Sequence, residues 1–265
     1  MKLTLGLIVS ALTVGALMAA ALDFLLAGAP RQTLWRAVQA CIVDYRLTGA
    51  AFPCLQVNLA GGQERGYVLI RAPFGRREVV LAPTRKVVGV EDPWLQLPDA
   101  PNYFEDAWRA RSLLERPDQK PAAGDFALAV NPAVMRRQDQ LHIHLGCLFP
   151  DEKRAVESFA ARLQIGEWSR VPTIIYDAEF WGLRLGRAGL AGANPFRLAA
   201  EGPAGKDGGR SGLMIVVAAP RLAGEDQWLI LATNLVGSGT YTDIAAEDIL
   251  DPSCEQRSAT QGRRL

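Results

Sequence analysis

The chain has 265 residues, of which 49% are hydrophobic and 22% are charged. This composition is typical of a folded protein with one large core or two small ones. The 29 basic and 28 acidic residues leave a net charge of +1, without the concentrated basic excess of a nucleic-acid-binding protein. We therefore expect no nucleic-acid partner.

The first thirty residues form a separate, apolar unit. Leu3 to Leu22 contains no charged residue, and a helix of that length rises about 30 Å, the thickness of the hydrocarbon core. A cleaved signal peptide is the alternative, with Ala19 to Ala21 as a small-residue cleavage site. The length favours an uncleaved anchor, so we predict one transmembrane helix within residues 1–30. Basic residues on both sides of it leave its orientation open.

Four cysteines follow the apolar segment: Cys41, Cys54, Cys147 and Cys254. An even number in a chain with an export-like segment is typical of an oxidising compartment and of two disulfides. Proximity in sequence favours Cys41 with Cys54, which leaves Cys147 with Cys254. Four reduced, buried thiols are the alternative.

The remaining pattern predicts an α+β domain over residues 31–250, followed by a polar C-terminal tail over residues 251–265. Helical spacing of apolar residues marks the helices, and short β-rich runs between turn signals mark the strands. A Gly-rich, charged stretch, Glu201–Ser211, is predicted to be a mobile loop. Short connections favour an antiparallel sheet with flanking helices. In chain order, the predicted elements are helix Gln32–Leu47, strands Gly66–Ile70 and Arg77–Ala82, helix Pro101–Glu115, strands Ala127–Val130 and Gln138–Phe149, helix Asp151–Leu163, and strands Pro172–Tyr176, Leu213–Ala218 and Trp228–Ala232.

The strand Gln138–Phe149 carries the only two histidines of the chain, His142 and His144. Side chains two residues apart on a strand point to the same face, so both imidazoles lie together. Leu141, Ile143 and Leu145 take the opposite face, which we interpret as the core side. Imidazole can act near neutral pH as nucleophile, base or metal ligand, which makes this strand the candidate site.

Neutral amides around the histidines favour chemistry on a phosphate. A zinc site needs three or four protein ligands, and no third ligand stands at a recognisable spacing, so we predict neither a metal nor a cofactor. A neutral imidazole can instead attack phosphorus directly. Asn131, Gln138 and Gln140 would then bind the phosphate oxygens without repelling them. A purely structural role for the histidines is the alternative.

These residues resemble a known family. Asn131 at the end of an apolar strand, then a loop, Gln138 and an alternating His-x-His strand, is similar to the histidine-triad (HIT) superfamily. The string from Gln138 to Cys147, behind an apolar N-terminus, resembles its membrane-anchored CDP-diacylglycerol diphosphatase branch. The resemblance implies a HIT-like antiparallel sheet and hydrolysis of CDP-diacylglycerol to CMP and phosphatidate through a histidine nucleophile. It also implies a bacterial inner-membrane location, with a periplasmic catalytic domain and a possible homodimer.

The triad is incomplete, which leaves two registers. In the first, which the spacing from Asn131 favours, His144 is the nucleophile and Gly146 replaces the third histidine. In the second, Gln140 replaces the first histidine and His142 is the nucleophile. The basic residues nearest in sequence, which could meet the second phosphate, are Arg85, Lys86, Arg136 and Arg137. Three other functions stay open: a hydrolase or nucleotidyl transferase acting on a soluble nucleotide conjugate, a membrane-tethered, non-catalytic binding domain, and a metal-dependent hydrolase.

Overall fold

The computed structural model describes residues 31–72, 76–117, 120–172, 179–186, 189–236 and 245–255. The predicted anchor at residues 1–30 and residues 256–265 of the predicted tail lie outside these ranges. Among the helices described, none combines the length and the apolar character needed to cross a membrane.

One antiparallel sheet of ten strands runs through the described part of the chain. Nine strands follow the order β1-β2-β3-β5-β4-β8-β11-β7-β6, and β12 pairs with the end of β5. This confirms the predicted antiparallel sheet with flanking helices. The strands are β1 (Gln56–Asn58), β2 (Tyr67–Arg71), β3 (Val79–Pro83), β4 (Phe126–Val130), β5 (Ile143–Leu148), β6 (Trp168–Val171), β7 (Phe180–Leu185), β8 (Leu213–Ala218), the short pair β9 (Arg221–Leu222) and β10 (Glu225–Asp226), β11 (Trp228–Asn234) and β12 (Leu250–Asp251).

Helices cover both faces of the sheet. The face that carries Ile143 and Leu145 packs against α2 (Tyr103–Arg109) and α4 (Pro195–Glu201) in one apolar core. The other face, which carries His144, packs against α3 (Pro150–Arg162) on one side and against α1 (Thr33–Thr48) on the other. The histidines therefore lie on the sheet face between two helix-covered regions. The α-helices are α1 (Thr33–Thr48), α2 (Tyr103–Arg109), α3 (Pro150–Arg162), α4 (Pro195–Glu201) and α5 (Pro203–Gly208), and the longer 3-10 turns include Ala110–Leu114 and Ala246–Ile249.

Two disulfides hold peripheral segments onto this frame, with the predicted pairing. Cys41–Cys54 ties α1 to the loop before β1, and Cys147–Cys254 ties the C-terminal segment to β5. Because β12 pairs with β5 and Cys254 is buried, the folded domain continues past residue 250.

Three local predictions differ from the structure. The stretch predicted as a mobile loop, Glu201–Ser211, contains α5, because the amide of Asn234 on β11 donates to the carbonyls of Ala204 and Gly209. The histidine strand begins at Ile143 instead of Gln138. Most of the predicted strand Pro172–Tyr176 lies outside the described residues, and a strand, β6, ends just before it.

Candidate active site

The register of three central strands places His144 among polar side chains. His144 pairs with Val80 on β3 and with Ala129 on β4. Side chains two residues along a strand share a face, so Glu78 and Asn131 lie on the face of His144. Diagonal neighbours across strands are within reach of long side chains, and the sheet therefore brings a carboxylate and an amide to the histidine.

His144 lies between two carboxylates. Its Nδ1–H donates to Oε1 of Glu78, and its Nε2 lies 3.9 Å from Oε2 of Glu247. The Nε2 atom is buried and has no hydrogen-bond partner within the described residues. Burial alone would lower the pKa of His144, but the charges of Glu247 and Glu78 outweigh it and raise this pKa above its usual value. The site therefore favours the cationic form of His144.

His142 is held in the opposite state. Its Nδ1–H donates to the carbonyl oxygen of Gln140 at 2.8 Å, and because a carbonyl only accepts, this bond fixes the proton on Nδ1. Its ring centroid lies 4.9 Å from that of His144. Burial and the neighbouring His144 lower the pKa of His142 to about 4. His142 is therefore neutral near pH 7, with its lone pair on Nε2.

Asn131 positions the second carboxylate. Its amide Nδ2 donates to Oε2 of Glu247 at 2.6 Å, and its Oδ1 accepts from the backbone N–H of Ala246 at 2.7 Å. Both ends of this buried amide are thus bonded to the 3-10 turn Ala246–Ile249. Asn131 thus lies at the site, where its contacts hold Glu247 beside His144.

The two glutamines lie elsewhere. Oε1 of Gln138 accepts from the backbone N–H of Leu34 at 2.8 Å, at the start of α1. The side chain of Gln140 is fully buried and donates to the carbonyls of Pro83 and Arg85. None of these hydrogen bonds involves an imidazole. These amides hold the segment before β5 in place, and only the backbone of Gln140 takes part in the site.

Three of the four basic residues singled out from the sequence have other partners. Arg136 pairs with Glu91 and Asp139, Lys86 donates to Gln32 and to a backbone carbonyl, and Arg85 pairs with Glu64. Arg137 is exposed.

A different cation stands at the site. Nε of Arg76 lies 3.0 Å from Oε2 of Glu78, and 36% of the arginine side chain is exposed. Arg76 is thus bonded to the carboxylate that holds His144 while part of its side chain still faces solvent.

The arrangement suits nucleophilic attack on a phosphate. It offers a neutral imidazole with a fixed tautomer, a second imidazole whose pKa is raised by two carboxylates, and a partly exposed guanidinium. Within the described ranges, no group of three or more His, Cys, Asp or Glu side chains is arranged to hold a metal ion.

Comparison with known proteins places the chain in a family. The model of the CDP-diacylglycerol pyrophosphatase family matches residues 29–258. The chain belongs to this family. A CDP-diacylglycerol pyrophosphatase of Yersinia pestis is 32% identical over 243 residues, which cover 90% of each chain. A CDP-diacylglycerol pyrophosphatase of Mycobacterium tuberculosis strain H37Ra is 31% identical over 234 residues, 85% of this chain and 84% of that one. Membership in this family confirms the predicted enzyme class, a hydrolase.

Sequence reasoning missed both carboxylates and Arg76. Glu78 carried a signal, because it stands among apolar residues in a predicted strand, on the face that Val80 takes. Glu247 carried none, since the turn that holds it has no periodic pattern and its hydrogen bonds to Asn131 span more than 100 residues.

Proposed function

We propose that the protein hydrolyses CDP-diacylglycerol to CMP and phosphatidate, and that His142 is the nucleophile. The family and the names of its bacterial members support this substrate. The observation that carries the choice of nucleophile is the hydrogen bond from Nδ1–H of His142 to the carbonyl of Gln140. It leaves the lone pair of Nε2 for attack, whereas Nε2 of His144 is buried beside Glu247. Of the two registers, the geometry supports the second.

In the first step, Nε2 of His142 attacks the phosphorus of the cytidylyl group. The bond from this phosphorus to the bridging oxygen breaks, and phosphatidate leaves with that oxygen. In the second step, a water oxygen attacks the same phosphorus and the bond to Nε2 breaks. CMP leaves, one proton is released, and His142 returns to its neutral form. This two-step route uses the imidazole as a covalent catalyst.

The neighbouring groups stabilise the charge that develops on the phosphate. Cationic His144 lies beside His142 and keeps the nucleophile unprotonated, since a nearby like charge disfavours the charged form. A fixed positive charge in a partly buried site also stabilises the equatorial oxygens of the transition state. Arg76 is the residue we assign to the second phosphate, because its side chain is held at Glu78 and partly exposed.

The proposal also covers the fold of the domain and the location of the protein in the cell. The antiparallel sheet with the histidines on one face is consistent with a HIT-like domain. The apolar run Leu3–Leu22 would anchor the chain in the bacterial inner membrane. Two disulfides suit a periplasmic catalytic domain, because that compartment is oxidising.

Hydrolysis of CDP-diacylglycerol in detergent tests the proposal. The wild type, His142→Ala and His144→Ala are assayed for CMP and phosphatidate with EDTA present. We expect the wild type to release both products, His142→Ala to lose activity entirely, and His144→Ala to keep a residual rate, because it retains the nucleophile. No CMP from folded wild-type protein would refute the substrate. Full activity of His142→Ala would refute the nucleophile.

A further inference from the structure

The outward face of α1 is apolar where a helix on a protein surface is normally polar. Its inward face buries Val38, Cys41 and Ile42 against the sheet. Three exposed apolar residues at helical spacing form the opposite face, Ala40, Val43 and Leu47, with Arg36 at its N-terminal end. Leu47 is 79% exposed and Val43 is 55% exposed. This helix therefore has an apolar stripe on each side.

The loop that follows α1 extends the outward stripe. Phe52 is 78% exposed, and Leu55 is also exposed. Five of the eleven exposed large hydrophobic residues of the described chain lie within residues 43–55. The Cys41–Cys54 disulfide fixes this loop against the helix. We call the outward face of α1 together with this loop the α1 surface.

The charges of the α1 surface are mainly positive. Arg36 and Arg46 are exposed, and the guanidinium of Arg46 donates to the uncharged side chain of Gln63 at 2.8 Å. The carboxylate of Asp44 instead accepts from the hydroxyl of Thr48 and from the backbone N–H of Phe52. Apolar side chains flanked by arginines are typical of a helix that lies at the surface of an anionic bilayer.

The start of α1 is tied to the active-site segment. Arg31 pairs with Asp139 and accepts a backbone hydrogen bond from it, and Leu34 donates to Gln138. His142 follows three residues after Asp139. A helix of sixteen residues is about 24 Å long, so Leu47 near its end lies about one helix length from the segment tied to its start. The apolar run Leu3–Leu22 ends just before the same helix.

We propose that the α1 surface rests on an anionic lipid bilayer and holds the active site at the plane where its lipid substrate lies. The proposal rests on the proposed function, because a diacylglycerol substrate is what gives this contact its use. It names an interfacial helix within the folded domain, in addition to the apolar N-terminal segment.

Fluorescence quenching tests the contact without using activity. The full-length chain carries an environment-sensitive label at Leu47→Cys or, as the control, at Ile165→Cys. Ile165 is 55% exposed and bridges to Arg184 on β7, at the opposite end of the strand order from β1, which packs against α1. Both are reconstituted in vesicles of phosphatidylcholine and phosphatidylglycerol with a quencher in the acyl chains. We expect strong quenching at position 47 and little at position 165. Equal quenching at the two positions would overturn the proposal, as would cross-linking of two copies through position 47 with no quenching there.

A rate comparison tests what the contact does. Leu47→Glu combined with Phe52→Glu places two charges on the α1 surface, and Ile165→Glu is the control. We expect the double variant to lose about five- to tenfold in rate on CDP-diacylglycerol in anionic vesicles, and to keep the wild-type rate on the same lipid dispersed in detergent. An unchanged vesicle rate would contradict the proposal. If the wild type is inactive in both media, the proposed function fails, while the quenching result still decides the surface.

Discussion

Replacing Glu78 with glutamine should move the pH dependence of catalysis, because this carboxylate keeps His144 cationic. Glu78 is buried, and its carboxylate accepts from Nδ1–H of His144. Glutamine has the same shape and its oxygen can still accept this bond, so the change removes charge and leaves the packing. The effect should therefore appear in the proton affinity of His144.

The size of the effect follows from the loss of charge on the acceptor. A hydrogen bond to a charged group contributes about 1.5–3 kcal/mol and one between neutral groups about 0.5–1.5 kcal/mol. The lost charge is therefore worth about 1–2.5 kcal/mol, and about 1.4 kcal/mol corresponds to one pKa unit. We expect the pKa of His144 to fall by about one to two units in Glu78→Gln. At pH values above the pKa of His144 in both proteins, Glu78→Gln should be about 10- to 100-fold slower than the wild type.

The assay is kcat/KM for CMP release in detergent from pH 5 to pH 9.5. The alkaline limb of the profile should lie one to two pH units lower in Glu78→Gln than in the wild type. Glu91→Gln is the matched control, because the carboxylate of Glu91 pairs with Arg136 and is not among the charges that shift the pKa of His144. An alkaline limb at the wild-type position, in a variant that melts cooperatively, would refute the assignment of His144 as a cation held by Glu78.

Three further predictions concern stability and the geometry around Glu247. Because the pKa of His142 is lowered to about 4 in the folded protein, unfolding takes up a proton between about pH 6.5 and pH 4. Lowering the pH through this range should therefore cost the wild type up to about 3 kcal/mol of unfolding free energy relative to His142→Gln, measured by urea titration. Parallel plots of unfolding free energy against pH for the two proteins would contradict a neutral His142 in the folded protein. Asn131→Ala should lose about 1–3 kcal/mol of stability and most of its kcat, with KM changed little, because the amide holds Glu247 in place; a rise in KM alone would indicate direct substrate binding instead. Replacing Cys147 and Cys254 by alanine should lower the free energy of unfolding by about 2–5 kcal/mol, since the disulfide closes a loop with a sequence separation of 107 residues; an unchanged melting temperature would contradict this.

The local spacing of apolar residues was enough to predict the helices and strands that bury one face. The inward stripe of α1, with Val38, Cys41 and Ile42, and the alternation through Ile143 and Leu145 both match the structure. They could be predicted because a helix or strand that buries one face must repeat its apolar residues with the period of that element. The two histidines were found for the same reason.

Features that depend on distant partners could not be predicted in this way. Helix α5 depends on Asn234, which lies 25 to 30 residues further along the chain. Glu247 depends on Asn131, which is 116 residues away. Gln138 has the residue type of a phosphate donor, yet its partner is the start of α1, 104 residues before it. Nothing in the local sequence distinguishes these pairings from the alternatives.

The central claim is that Nε2 of His142 carries the cytidylyl group between the two steps. The most direct measurement is to stop the full-length enzyme during turnover of CDP-diacylglycerol in a neutral denaturant, digest it, and locate the adduct by tandem mass spectrometry. The account predicts a cytidylyl group on His142 in the wild type, and none in His142→Ala. An adduct on His144, or steady turnover with no adduct on either histidine, would contradict it.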